Sequence, residues 1–289
     1  LRNRIIVLIL LVITPLVIGG SHLFLRSSAN NEAFYQNNKI VVGGSSSGIL
    51  ILEIFKPGFE EEYPGYTIHF LPGTETRDGL GGVSGGMLDA GAMARPMKMS
   101  EKKQYPNLRE LFFLTDAVVL GANQNVKLNN LSTQQIKKIY RGEIADWQEL
   151  GAQKGQIIIL DRGESSSTKI ALRKHILGTD FIFGGNSILL HSADSVNRAI
   201  ETTPNALGLS SLGIINHYDL KIKPLAIDGI SPSAENVERK QYKLVRTFGI
   251  AIRKGKPSDR INKLINFLFS DRARKISENC GFVPLIHGK

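Results

Sequence analysis

Between Asp161 and Lys169 the chain reads Asp-Arg-Gly-Glu-Ser-Ser-Ser-Thr-Lys. A guanidinium followed by a run of hydroxyls is suited to holding an oxyanion. The apolar run 157–160 before it predicts a buried strand, and residues 170–177 after it predict a helix. A strand, a hydroxyl-rich turn and a helix start leave free backbone N–H groups and the positive end of the helix dipole facing a ligand. Arg162 can add a charge-assisted fork. The same segment also reads as a plain capped helix with a solvated arginine, because a cap needs only one Ser or Thr.

Three further segments of this kind follow strand-like runs. Ser45-Ser46-Ser47 comes after residues 39–44, Thr74-Glu75-Thr76-Arg77 after 66–70, and Arg95 after the small-residue run 90–94. Loops at the carboxyl ends of strands in an α/β sheet converge on one crevice. A buried tetrahedral oxyanion needs many donors and partial neutralisation, and together these segments supply both.

The elements that must position them alternate. Strand patterns fall at 39–44, 66–70, 90–94, 111–121, 157–160, 206–212 and 244–252. Helix patterns fall at 49–62, 132–140 with Ser132 as N-cap, 170–177, 195–202 and 259–279. The last is expected to be one amphipathic helix with Ile261, Leu264, Ile265, Leu268 and Phe269 on one face. A glycine-rich segment, 73–86, follows the second strand, and its run 81–86, which lacks dinucleotide spacing, reads as flexible or closely packed backbone. Alternation of this kind argues for an α/β fold with mainly parallel sheets. The long strands near 115–121 and 245–252 are candidates for crossings between two lobes.

Composition narrows the function classes. The chain has 289 residues, 42% of them apolar and 21% charged, and a net charge of +10, which suits an anionic ligand or surface. Nucleic acid is disfavoured: the Lys and Arg residues are scattered, aromatics are 7%, and no known binding pattern occurs. The single cysteine, Cys280, excludes an intrachain disulfide and reads as a small buried residue at a helix end. The six histidines have no metal-ligand spacing. Ser166-Ser167-Thr168-Lys169 fits S-x-x-K, but its companion S-D-N and K-T-G patterns are absent. No G-x-S-x-G, H-E-x-x-H or Walker motif occurs. Arg2 and Arg4 precede an uncharged stretch reaching Leu25, which reads as a secretory signal or an N-terminal membrane anchor. Residues 27–29 are small enough for cleavage, and both readings stay open.

At this point the motifs, in order, resemble the phosphate-binding, substrate-capturing proteins of bacterial ABC uptake systems. Gly44-Ser45-Ser46-Ser47 resembles that family's first ligand loop and Asp89-Ala90-Gly91-Ala92 its D-x-G-[AM] segment. Residues 139–147 resemble the I-[FY]-x-G-x-I-x-x-W signature. Residues 162–168 resemble R-x-D-G-S-G-T, and 228–237 resemble D-G-V-x-P-[ST]-x-E-N-[IV]. The resemblance implies an α/β, two-lobed type II periplasmic-binding-protein fold. Two mixed, mainly parallel sheets would be flanked by helices, with the ligand cleft between lobes. It implies phosphate ligands at Ser47, Thr76, Arg162, Ser166, Ser167 and Thr168, and Ser46 and Arg95 are added to these as candidate ligand-binding residues. Ser167 replaces a glycine, so only its backbone N–H is inherited, and Glu164 replaces an aspartate. The family aspartate that accepts the proton of hydrogen phosphate is Ala94 here, followed by Arg95. Glu75, Asp78 and Glu164 are candidate substitutes.

The expected organisation is a signal or anchor at 1–29, a linker at 30–38, lobe one at 39–117 plus 248–289, and lobe two at 118–247. The expected function is non-enzymatic capture of inorganic phosphate outside the cytoplasmic membrane and delivery to an ABC permease, by a monomer closing about a hinge without metal or cofactor. The alternatives are another tetrahedral oxyanion such as sulfate, a membrane-anchored signalling or interaction protein of the same fold, and a serine-acyl enzyme built on Ser166 and Lys169.

Overall fold

The computed structural model describes residues 38–184 and 186–285. The segment 1–29, expected to be a signal or anchor, and all but the last residue of the expected linker lie outside the described residues. No helix among the described residues is long and apolar enough to cross a membrane.

In chain order, β1 (Lys39–Gly44) leads into α1 (Ser46–Glu62), β2 (Thr67–Phe70) into α2 (Thr76–Ser84) and β3 (Ala90–Met93) into α3 (Met99–Gln104). The long strand β4 (Leu108–Asn123) is followed by β5 (Asn130–Leu131), α4 (Thr133–Arg141) and a 3₁₀ turn (Trp147–Leu150). Next come β6 (Ile158–Arg162), α5 (Ser167–Leu172) running on into a π turn (Arg173–Leu177), β7 (Ser187–Leu190), α6 (Ala193–Thr202) and β8 (Ala206–Ser211). The chain continues through α7 (Leu212–Tyr218), β9 (Ile222–Ile227), α8 (Ala234–Glu238) and β10 (Val245–Arg253). It closes with α9 (Asp259–Leu268), α10 (Asp271–Cys280) and β11 (Val283–Pro284).

The strand order β2-β1-β3-β10-β4-β8-β6-β7 is mixed. β1 pairs in parallel with β2 and β3 on one side, and β6 with β7 and β8 on the other. Between them, β10 runs antiparallel to β3 and β4, and β4 antiparallel to β8 and β9. β4 serves both sides: it pairs with β10 up to Ala117 and with β8 from Val118 onward. Two large apolar cores result. One gathers Phe55, Phe59, Phe248, Phe267 and Phe282; the other gathers Val119, Tyr140, Trp147, Leu160 and Leu207. Trp147 is fully buried and its Nε1–H donates to the Asn205 carbonyl at 3.0 Å, so a large apolar side chain is covered without stranding its donor. The molecule is a two-lobed α/β protein whose β1–α1 and β6–α5 turns meet between the lobes.

One expectation changes. Residues 259–279 form two helices, α9 and α10, rather than one. Ser270 breaks the run because its hydroxyl accepts from the Ala273 N–H at 3.2 Å and caps a new helix. The glycine-rich stretch contains α2, and its glycines serve close packing. A Cβ at Gly79 would lie 2.9 Å from Gly44 Cα, so the helix rests directly on the end of β1. Gly44 itself has φ 118°, a conformation that lets the chain turn out of β1 into α1.

Candidate functional site

The N-termini of α1 and α5 face one another across the cleft. Ser45 caps α1, its hydroxyl accepting from the Gly48 N–H, and this leaves Ser46 and Ser47 in the first turn. Ser166 caps α5 through the Lys169 N–H, leaving Ser167 and Thr168 in its first turn. All of these hydroxyl residues are buried. Ser47, Arg162 and Thr168 line one small cavity together with Arg246, Ser210 and Ser211. Ser46 stands at its edge, accepting from Arg162 Nη1 at 3.5 Å and from the Ala193 N–H at 3.3 Å. It also borders an open groove of about 400 Å³ with Ile49, Glu53, Phe70 and Asp194.

Arg162 ends β6 and is 5% exposed. Its Nη2 reaches across the cleft to Glu75 Oε1 at 2.9 Å, while Nε is buried without a hydrogen-bond partner among the described residues. Burial holds the Arg162 guanidinium below its ordinary value, with Glu75 pulling the other way. Burial likewise raises Glu75 against the pull of Arg162, and nearby Asp78 adds to the rise. The two other candidate carboxylates point elsewhere. Asp78 accepts from the Glu75 N–H at 3.1 Å, and Glu164 lies on the outside, paired with Arg173 and Lys169.

Thr76 and Arg95 stand apart from the cavity lining. Thr76 opens α2, and its hydroxyl accepts from the Ala94 N–H at 3.4 Å. Arg95 is buried, but both Nη atoms close on the Glu101 carboxylate at 2.7 Å, and Nη1 also donates to the Pro96 carbonyl. Burial pushes the Glu101 carboxyl up, but hydrogen bonds from Arg95 and the Lys98 N–H outweigh it and hold it low. Arg95 is thus a fixed charge in a bidentate pair, with no forked donor turned toward the cavity.

Lys169, the last residue of the S-x-x-K match, is buried under Phe183 with its ammonium on Asp161 and Glu164. Its side-chain nitrogen is engaged by two carboxylates, while the Ser166 hydroxyl is tied to the Lys169 backbone N–H, so the pair is not arranged as nucleophile and base. Among the described residues no His, Cys, Asp and Glu cluster could hold a metal ion. Cys280 is buried, and burial pushes its thiol up.

Sequence reasoning missed Arg246. It lies on β10 opposite Asp116 on β4, and both are deeply buried. Nη1 donates to Ser47 Oγ at 3.1 Å and to Ser167 Oγ at 2.9 Å, and Nη2 lies 3.7 Å from Asp116 Oδ2. Desolvation lowers Arg246 to about 10 and raises Asp116 to about 6. The available signal was a lone opposite charge in each of two long apolar strand patterns.

A cavity with two buried guanidiniums, convergent hydroxyls and two helix N-termini is built for an anion. The chain matches the family model for the PBP superfamily domain over residues 29–272. It is 28% identical over 231 residues to a phosphate-binding protein PstS of Bacillus subtilis, covering 78% of this chain and 74% of that one. A PstS of Borreliella burgdorferi is 22% identical over 214 residues, 72% of this chain and 76% of that one. Among solved structures, the chain is similar to a protein from Clostridium perfringens assigned as the substrate-binding component of a phosphate ABC transporter, with bound phosphate. That likeness has a TM-score of 0.77 at 24% identity and covers 86% of this chain and 100% of the other. An ABC-type phosphate transport receptor from Vibrio cholerae gives 0.63 at 21% identity, covering 84% and 99%. With its family model spanning most of its length, and with the two-lobed architecture described above, the chain belongs to the PBP superfamily domain family.

Proposed function

We propose that this protein captures inorganic phosphate between its lobes, outside the cytoplasmic membrane, and hands it to an ABC permease without chemically altering it. The observation that carries the reading is the cavity in which Arg162 and Arg246 meet the first turns of α1 and α5. The ligand set is Ser46, Ser47, Arg162, Ser166, Ser167 and Thr168, with Thr76 at the margin, and no metal or cofactor takes part. The names of the relatives support phosphate as the ligand. The lobes meet at 117–118 and 247–248, where β4 and β10 pass between them, and the protein acts as a monomer.

Glu75 takes the part of the family carboxylate that Ala94 lacks. It is the one of the three candidate carboxylates that bonds Arg162 across the cleft. Hydrogen phosphate offers a proton to such an acceptor, whereas sulfate at neutral pH offers none and is repelled. Calorimetric titration of the ligand-stripped full chain with phosphate, alone and in excess sulfate, tests the reading. Tight phosphate binding that sulfate does not displace is expected. Binding of both anions alike would move the assignment to a general oxyanion carrier, and binding of neither would refute capture.

A further inference from the structure

Arg246 stands where the two lobes join. Its strand partner Asp116 lies on the other strand that passes between them. Ser47 belongs to α1 on one lobe and Ser167 opens α5 on the other, yet a single nitrogen, Nη1, donates to both hydroxyls. A hydroxyl has one proton to give and two lone pairs to accept with. An Oγ that accepts from a guanidinium keeps its proton for a further acceptor; Ser47 lines the cavity, and Ser167 immediately precedes Thr168, which lines it too. The guanidinium is held in turn: its carbon sits 4.6 Å above the Phe248 ring, and Asp116 is fixed by the Gly213 N–H at 3.3 Å. Arg246 Nε and Asp116 Oδ2 are buried with no hydrogen-bond partner among the described residues.

We propose that Arg246, held by Asp116 and Phe248, is the positioning residue of anion capture: it turns the Ser47 and Ser167 hydroxyls, one from each lobe, into donors aimed at the ligand. This rests on the oxyanion reading and deepens it. Asp116 is then the internal counter-charge. The groups that face it are Arg246 from β10, the Ser211 hydroxyl and Gly213 N–H from the β8–α7 junction, and Tyr242 from the segment before β10. Arg162 bears on it through Arg246. An anion arriving beside Arg246 competes with the Asp116 carboxylate for the same cation. Asp116, already raised to about 6 by burial, is raised further and takes up a proton on binding.

The test is calorimetric titration of inorganic phosphate into the full chain at pH 7 in buffers of differing ionisation enthalpy. Wild type is compared with Arg246→Lys, Arg246→Met and Asp116→Asn, with melting curves for each. Arg246→Lys is expected to bind about tenfold more weakly, since an ammonium cannot hold both hydroxyls and Asp116 in one plane. Arg246→Met is expected to bind about a hundredfold more weakly. Asp116→Asn is expected to lose the proton uptake seen in wild type. A merely structural Arg246 would lower melting temperature and leave affinity and proton uptake unchanged, and that result overturns the proposal. Should Arg246→Met not fold, Arg246→Lys decides: binding within about threefold of wild type overturns it. Failure of wild type to bind phosphate would refute the functional reading itself, a result distinct from any of these.

Discussion

Arg162 and Arg95 look alike on paper. Each stands at or just past the end of a strand, each is buried, and each is paired with a glutamate. The difference lies in how the fork is spent. Arg95 closes both Nη atoms on Glu101, a partner only six residues away, and the pair is a local clamp at the start of α3. Arg162 gives Glu75 one nitrogen across the cleft and turns another toward Ser46, while Nε is unpartnered among the described residues in both arginines. A bidentate pair completes the fold, whereas a one-point pair spanning two lobes leaves donors for a ligand and can be remade when the lobes move.

Substitution should separate the two arginines. Arg162→Ala is expected to cost about 2–5 kcal/mol of phosphate binding, because it removes a buried charge-assisted partner. Its effect on stability should be small, because Glu75 is a quarter exposed and can turn to water. Arg95→Met should do the reverse. It strands the Glu101 carboxylate and should cost about 3 kcal/mol of stability, with phosphate affinity nearly unchanged. Urea unfolding and calorimetry on both variants check this, and loss of phosphate binding in Arg95→Met without loss of stability would break the comparison.

A pH series sharpens it further. Asp116, beside Arg246, is raised from 3.8 to about 6 by burial. The folded chain keeps that proton where the unfolded chain has lost it, so its contribution to stability falls as pH rises from about 4 to about 6, by about 2–3 kcal/mol. Asp116→Asn should flatten urea-unfolding stability across that window, and an unchanged slope would contradict the account. The smallest effect is expected at the cleft rim. Glu75→Gln should lower the preference for phosphate over sulfate by about 1–2 kcal/mol, read by competition calorimetry.

The sequence carried the cradle more plainly than its floor. Hydroxyls and an arginine at a strand-to-helix turn are local, and 162–168 folds as local chemistry demands, with Ser166 capping α5. The signature stretches were legible for a different reason: they hold the scaffold. Tyr140 and Trp147 fill the core of one lobe. Asp228, at φ 50°, accepts from the Thr133 N–H at 2.8 Å and hydroxyl at 2.6 Å and so ties the end of β9 to α4. Arg246 and Asp116 could not be paired from sequence, because only the antiparallel register of two strands far apart in the chain brings them together. The Arg95–Glu101 clamp was hidden for a different reason: the two residues are close in the chain, but they meet only once the start of α3 is in place. The break between α9 and α10 turned on one Ser inside an amphipathic pattern, where local capping outweighed periodicity.

The most direct measurement is a crystal structure of the full chain grown with inorganic phosphate. The account requires one phosphate between the first turns of α1 and α5, with oxygens within hydrogen-bond distance of Arg162 and of the Ser47, Ser167 and Thr168 hydroxyls, and Arg95 still closed on Glu101. Phosphate seated on Arg95 with the Glu101 pair broken, or bound away from Arg162, would contradict it.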